Sequence, residues 1–384
     1  MALVLRNNSD LVYLPDHGLV GDDGGQIRRV DVSHNLLGSE GTISLFRGLS
    51  QMRQRRNQTH VNEVWGLTEI NLGCNSLGDE ALDTILGYAK KDVCLRKLLV
   101  PVNEIRLENN LDSIVNSLNS SLLSDFSLTN NANLHPPSAA RLFATLHNPN
   151  LHSLHLSACN LGPSLAGPIA EFLTSPRSRN LDVLELNANG FGVEGVRRII
   201  GAIEKSNFTI LQLGLFANDP RRMVQEADDG NIREQVGEDE TVSLNYEVSE
   251  RLPLLLQRNR LLTKRIKAAA GRVIAPARII LNARDLNEEE IARGVIRDIG
   301  LDSGSGRPRP FPLLELPPEV RLLIIKHCSR DPEAISENQY ARLLVEAKDL
   351  ARWKKVRSMG HGLGAEEAKE KWLEKGGWDK WEVA

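Results

Sequence analysis

Residues 184–192 read LELNANGFG. Two apolar residues stand two apart, Leu184 and Leu186, and an asparagine, Asn189, follows at the sixth position. The same spacing occurs as VDVSHNLLG from Val30, INLGCNSLG from Ile70, LLVPVNEI from Leu98 and FSLTNNANL from Phe126, then as LHLSACNLG from Leu154 and LGLFAND from Leu213. The sixth residues are Asn35, Asn75, Asn103, Asn131, Cys159, Asn189 and Asn218, separated by 40, 28, 28, 28, 30 and 29 residues. Seven copies held in one phase define a repeating unit, and a period in this range signals a stacked array.

The chemistry of each position explains the pattern. Apolar residues two apart lie on one face of a short strand, so each copy buries a pair. An asparagine amide offers two donors and an acceptor, enough to satisfy backbone groups left open where a strand ends. Cys159 substitutes a small thiol with weak donor character. Between the strands, segments from Asp79, Pro137, Pro163 and Val193 carry apolar residues three and four apart, as in Val196, Ile199, Ile200 and Ile203, which predicts helices. The longer first interval leaves about a dozen surplus residues, which are expected to form a basic loop around Gln51–His60.

A strand-turn-helix unit of this length resembles the leucine-rich repeat of the ribonuclease-inhibitor type, over about residues 27–220. That resemblance implies an α/β fold, a right-handed solenoid with parallel strands inside and helices outside, followed by a helical C-terminal region. It also implies a concave sheet surface on which a partner protein is bound. The residues flanking the buried pair would form that surface. They include Arg29, Asp31, Glu69, Asn71, Lys97, Leu99, Asp125, Ser127, Ser153, His155, Val183, Glu185, Gln212 and Phe216.

Residues 1–26 are read as an N-terminal cap segment, 221–244 as an acidic flexible loop and 245–302 as a basic helical cap region. Residues 303–312 are read as a Gly/Ser/Pro linker, and 313–384 as a helical region with a Trp-rich tail. Gln225–Glu240 holds seven acidic residues and one basic residue with no periodic apolar face. Residues 251–284 hold nine Arg or Lys and no acid. They predict a basic amphipathic helix that stops near Pro276 and caps the open end of the array, with nucleic-acid or anionic-surface contact as an alternative.

After the linker, Leu316-Pro317-Pro318-Glu319-Val320 followed by Ile324-Ile325 resembles the opening of an F-box. The resemblance implies contact with a cullin-ligase adaptor through Leu316, Pro317, Glu319, Val320 and Ile324, and hence a substrate receptor for ubiquitin ligation. A plain helical domain explains the same residues. Four of the five tryptophans (Trp353, Trp372, Trp378 and Trp381) lie in the last 32 residues, where docking on the protein's own helices is the preferred reading.

The net charge of −3 argues against a chain that coats nucleic acid or membrane throughout. The four cysteines are scattered, no secretory signal or membrane span is visible, and a cytoplasmic or nuclear setting is expected. His152, His155 and Cys159 lie close in sequence, but the repeat register accounts for all three. No nucleotide loop, nucleophile elbow or metal motif is present. The expectation is a protein-binding scaffold with no catalytic residue, metal, cofactor or small-molecule substrate. A small-GTPase regulator is the alternative, on the ground that a GTPase-activating protein shares the repeat type.

Overall fold

The computed structural model describes residues 2–4, 28–59, 66–219, 238–280, 316–348, 373 and 377–382. The chain is an α/β protein dividing into two compact units, Met1–Asn259 and Arg260–Ala384. The boundary falls inside the region 245–302.

The first unit is built on one parallel sheet of eight three-residue strands in sequence order: β1 (Ala2–Val4), β2 (Arg29–Asp31), β3 (Glu69–Asn71), β4 (Lys97–Leu99), β5 (Asp125–Ser127), β6 (Ser153–His155), β7 (Val183–Glu185) and β8 (Gln212–Gly214). Val30, Ile70, Leu98, Phe126, Leu154, Leu184 and Leu213 occupy one row of paired positions, as the repeat phase requires. Strand β1 adds a copy at the front edge, with Leu3 paired to Val30. Leu3, Leu5 and Asn8 keep the spacing of Val30, Val32 and Asn35.

Helices α1 (Gly38–Thr59), α2 (Asp79–Ala89), α3 (Leu111–Asn119), α4 (Pro136–Thr145), α5 (Ala166–Thr174) and α6 (Gly192–Lys205) connect successive strands. Their apolar faces share a single core with the inward strand residues, among them Val32, Leu72, Leu82, Ile85, Leu156 and Ile199. A buried leucine stabilises by about 1.5–3 kcal/mol, and each unit buries part of its share only because a neighbour covers it. Helix α3 lies in an Asn/Ser-rich segment that gives little helical signal.

Two expectations are corrected here. Gln51–Thr59 is not a loop but the end of α1, where Arg53 turns inward, 4.6 Å above the Tyr88 ring and 3.4 Å from the buried Asp92, while His60 lies outside the described residues. The acidic stretch read as loop to residue 244 becomes helix α7 (Glu238–Tyr246) from Glu238 on, while residues 221–237 lie outside the described residues.

The sixth-position residues form a continuous buried column. Asn75 Oδ1 accepts the Asn35 N–H at 3.1 Å, and Asn75 Nδ2 donates to the carbonyls of Val32 and Leu72 at 2.9 and 3.1 Å. Asn103 repeats this toward Asn75, with its Oδ1 accepting the N–H groups of Asn75 and Leu77. Asn189 accepts from Cys159 and donates to Leu156 and Leu186, and Asn218 accepts from Asn189. At Cys159 the column loses its acceptor. The thiol donates to Leu128 O at 3.2 Å, and the Asn131 N–H turns to the same carbonyl instead.

To bring each amide into place the chain enters the left-handed region one residue earlier. His34, Cys74, Val102, Asn130, Ala158, Ala188 and Ala217 all have φ between 54° and 60°. Such a conformation costs about 1–2 kcal/mol for an ordinary side chain, and the buried hydrogen bonds that follow offset it. Val102 is the harshest case, a β-branched residue at φ 54° that is 44 % exposed.

Past β8, α7 passes through a wider π-type turn (Glu247–Arg251) into α8 (Leu252–Ile280). Leu252 and Leu256 join the core of the first unit, and the buried Asn259 donates to the carbonyls of Asn207 and Ile210. The expected stop near Pro276 is not observed: α8 continues to Ile280. The missing proline N–H is outweighed by burial of Ala277 and Ile280 in the second unit's core. That core also holds Ile325 of α9 (Pro318–Cys328), Tyr340 and Leu343 of α10 (Glu337–Lys348), and Trp378. The linker 303–312 lies outside the described residues.

Two stability effects follow. Asn189→Ala strands the Cys159 N–H and two buried carbonyls, so urea unfolding should show a loss of about 2–4 kcal/mol; a change below 1 kcal/mol would refute the column as the organising contact. Val102→Asn, which tolerates φ > 0, should raise stability by about 1 kcal/mol in the same assay, and no gain would show that this turn carries no strain.

Candidate functional site

The first and third strand residues point away from the core and lie in two in-register rows. One runs Arg29, Glu69, Lys97, Asp125, Ser153, Val183, Gln212; the other runs Asp31, Asn71, Leu99, Ser127, His155, Glu185, Gly214. Most are half-buried, with Arg29 and Gln212 exposed. Phe216, two residues past Gly214, is 62 % exposed. Ser127 departs from its expected solvent-facing place: it is buried, and its hydroxyl donates to Thr129 Oγ1 at 3.1 Å.

Opposite charges alternate across the front strands. Arg29 Nε lies 3.3 Å from Glu69, and Lys97 Nζ bridges Glu69 and Asp125 at 3.8 and 3.7 Å. His155 Nε2 reaches Asp125 at 3.4 Å. In a partly solvated setting each pair adds at most about 1 kcal/mol, so the chain of pairs orients side chains more than it stabilises the fold. Asp31 is partly buried, which opposes ionisation, but hydrogen bonds from Ser33 and Asn71 prevail and hold its carboxyl below the usual range. At the rear edge Glu185 accepts from Asn187 Nδ2 at 2.8 Å and Gln212 Nε2 at 2.6 Å.

The structure separates the His/Cys group. His152 Nδ1 lies 2.9 Å from Asp182, His155 belongs to the sheet face, and Cys159 is in the buried column with its thiol pushed up to about 12 by burial. Among the described residues no group of three or more His, Cys, Asp or Glu is placed to hold a metal ion. Nor is any described helix long and apolar enough to cross a membrane.

Four arginines, one at the end of the π-type turn and three in α8, follow a pattern that the charge count alone did not disclose. Arg251, Arg258, Arg265 and Arg272 recur every seven residues, and each is committed internally. Arg251 pairs with Glu204 and Glu247, and Arg258 caps the Ile203 and Glu204 carbonyls while lying 4.5 Å above the Phe208 ring. Arg265 pairs with Asp331, and Arg272 donates to Ser329 O.

In the second unit, Arg321 and Ile325 of α9 are buried, and Ile324 of that helix and Leu316 ahead of it are half-buried. Pro317, Glu319, Val320 and Leu323 are exposed. Thus the five residues of the F-box-like motif do not form one uniformly free face. The tail docks on its own unit: Trp378 is buried, Gln339 Nε2 donates to Lys380 O, and Glu382 accepts from Ser336 and Arg342. Trp353 and Trp372 lie outside the described residues.

Two polar features escaped the sequence reading. Asp79, buried at the start of α2, accepts four backbone N–H groups from Arg106 through Asn109 at 2.7–2.9 Å. A second buried column, Asp92, Ser121, Asn148, Ser178 and Asn207, closes the helix-to-strand turns, as where Asn207 accepts the Thr209 and Ile210 N–H groups. Its spacing of 29, 27, 30 and 29 residues was the available signal, obscured because three residue types share the role. Asn207, in a glycosylation-like triplet, is spent inside this column.

Comparison of the chain with protein-family models and with curated proteins finds no match.

Proposed function

We propose that the chain is a protein-binding scaffold of the leucine-rich-repeat type, with the outward face of the parallel sheet as its recognition surface. The observation that carries this reading is the contrast between the two faces of each strand. The inward residues of β2 to β8 are apolar and buried, whereas outward ones differ from strand to strand, and those of the front strands are held in place by cross-strand pairs. Variation on a rigid, regular frame supplies specificity without cost to folding. Leu99 and Val183 give half-buried apolar points among polar neighbours, the composition of a contact surface.

A second reading has its own support. Helix α9 leaves Val320 38 % and Leu323 53 % exposed beside Pro317 and Glu319. An F-box-like role would place a cullin-ligase adaptor on these residues and make the scaffold a substrate receptor.

Leu99→Arg should abolish recovery of proteins captured from native extract, a loss of at least about 2 kcal/mol, with an unchanged melting temperature. Unaltered recovery would refute the sheet face. Purified adaptor should bind the full chain and lose binding to the Val320→Asp, Leu323→Asp double variant; no binding to the parent chain would dispose of the ligase reading.

A further inference from the structure

Among the charged groups of the sheet face, Glu185 stands apart. Arg29 and Lys97 are matched by Glu69 and Asp125, and Asp31 accepts the Ser33 N–H at 3.0 Å. Counting the two outward positions of each strand from β2 to β8, two cations (Arg29, Lys97) face four carboxylates (Asp31, Glu69, Asp125, Glu185), leaving an excess of negative charge. Among the described residues the hydrogen bonds of Glu185 come from neutral amides alone, one to each oxygen. Each oxygen keeps an open lone pair in a fixed direction.

The surroundings fit that orientation. Glu185 pairs in register with Gly214, and a Cβ there would overlap the Glu185 carboxylate and the Asn187 amide. A bare backbone is therefore what lets the carboxylate lie down across β8. Phe216 follows on the same face about 7 Å along the strand. Its N–H donates to Asn187 Oδ1 at 2.9 Å, so one amide fixes both the carboxylate and the aromatic residue.

We propose that Glu185, oriented by Asn187 and Gln212 over Gly214 and flanked by the exposed Phe216, seats one arginine side chain of the partner protein. A guanidinium matches this site better than an ammonium: its planar fork can use both open carboxylate lone pairs while its face or stem lies on the phenyl ring. The inference rests on the sheet face being the recognition surface, and adds the chemistry read at its rear edge.

The test is selection of a random dodecapeptide library displayed on phage against the full chain. Arginine should be enriched in the recovered peptides, and replacing that arginine by citrulline should weaken binding about tenfold or more. Glu185→Gln should produce the same loss, as should Gly214→Ala, which evicts the carboxylate without removing its charge. Phe216→Ala should cost several-fold, and Glu171→Gln on the exposed side of α5 should change nothing. Peptides lost on Leu99→Arg but indifferent to Glu185→Gln would overturn the arginine seat and leave the sheet-face reading standing. Peptides indifferent to both substitutions would overturn the two together. A selection yielding no Glu185-dependent binder overturns the seat.

Discussion

A three-residue strand is too short to hold a sheet together by its own ladder, so the fold depends on what satisfies the backbone where each strand ends. The side-chain amides of Asn75, Asn103, Asn189 and Asn218 do this from inside, each joining the turn of its own unit to that of the preceding one. Burying those N–H and carbonyl groups without partners would cost about 1–3 kcal/mol apiece. The amide column therefore permits the apolar stacking as much as it adds to it.

Strain and compensation are coupled along the same line. The left-handed residue ahead of each column position recurs in all seven copies, including residues as poorly suited as Val102. The conformation persists because it aims the next side chain inward. A second polar column at the helix-to-strand turns performs the matching task on the other side of the core. With both turns pinned, most outward strand positions are left with few folding duties and can vary in identity from strand to strand.

Strand register and the position of the core were legible because one six-residue pattern carries both apolar periodicity and the asparagine. Elements lacking that double signature were harder to read. Helix α3 begins at Leu111 after an Asn-rich run, and the extension of α1 hides behind charged residues of which Arg53 packs inward. Arg251 and the arginines of α8 were visible as charge, but whether they face water or Glu204, Asp331 and backbone carbonyls is decided by residues far away in the chain. On the candidate face, the identities of the outward residues followed from alternation. Their pairing did not: Glu185 gains its setting from Gln212, 27 residues later, and from the absence of a side chain at Gly214.

The uneven length of the connections has a consequence for how such a chain can change. The first interval is 40 residues where the others are 28 to 30, yet Val30 and Ile70 still pair in register. The added length is taken up largely in α1, on the side away from the strands. Insertions and deletions can thus accumulate along the outer rim, while the strand-and-turn segment admits none, since a single added residue would rotate every later side chain to the wrong face. Growth at the rim and substitution at the strands are then independent routes of divergence, one altering bulk and the other altering the chemistry of the sheet's outward face.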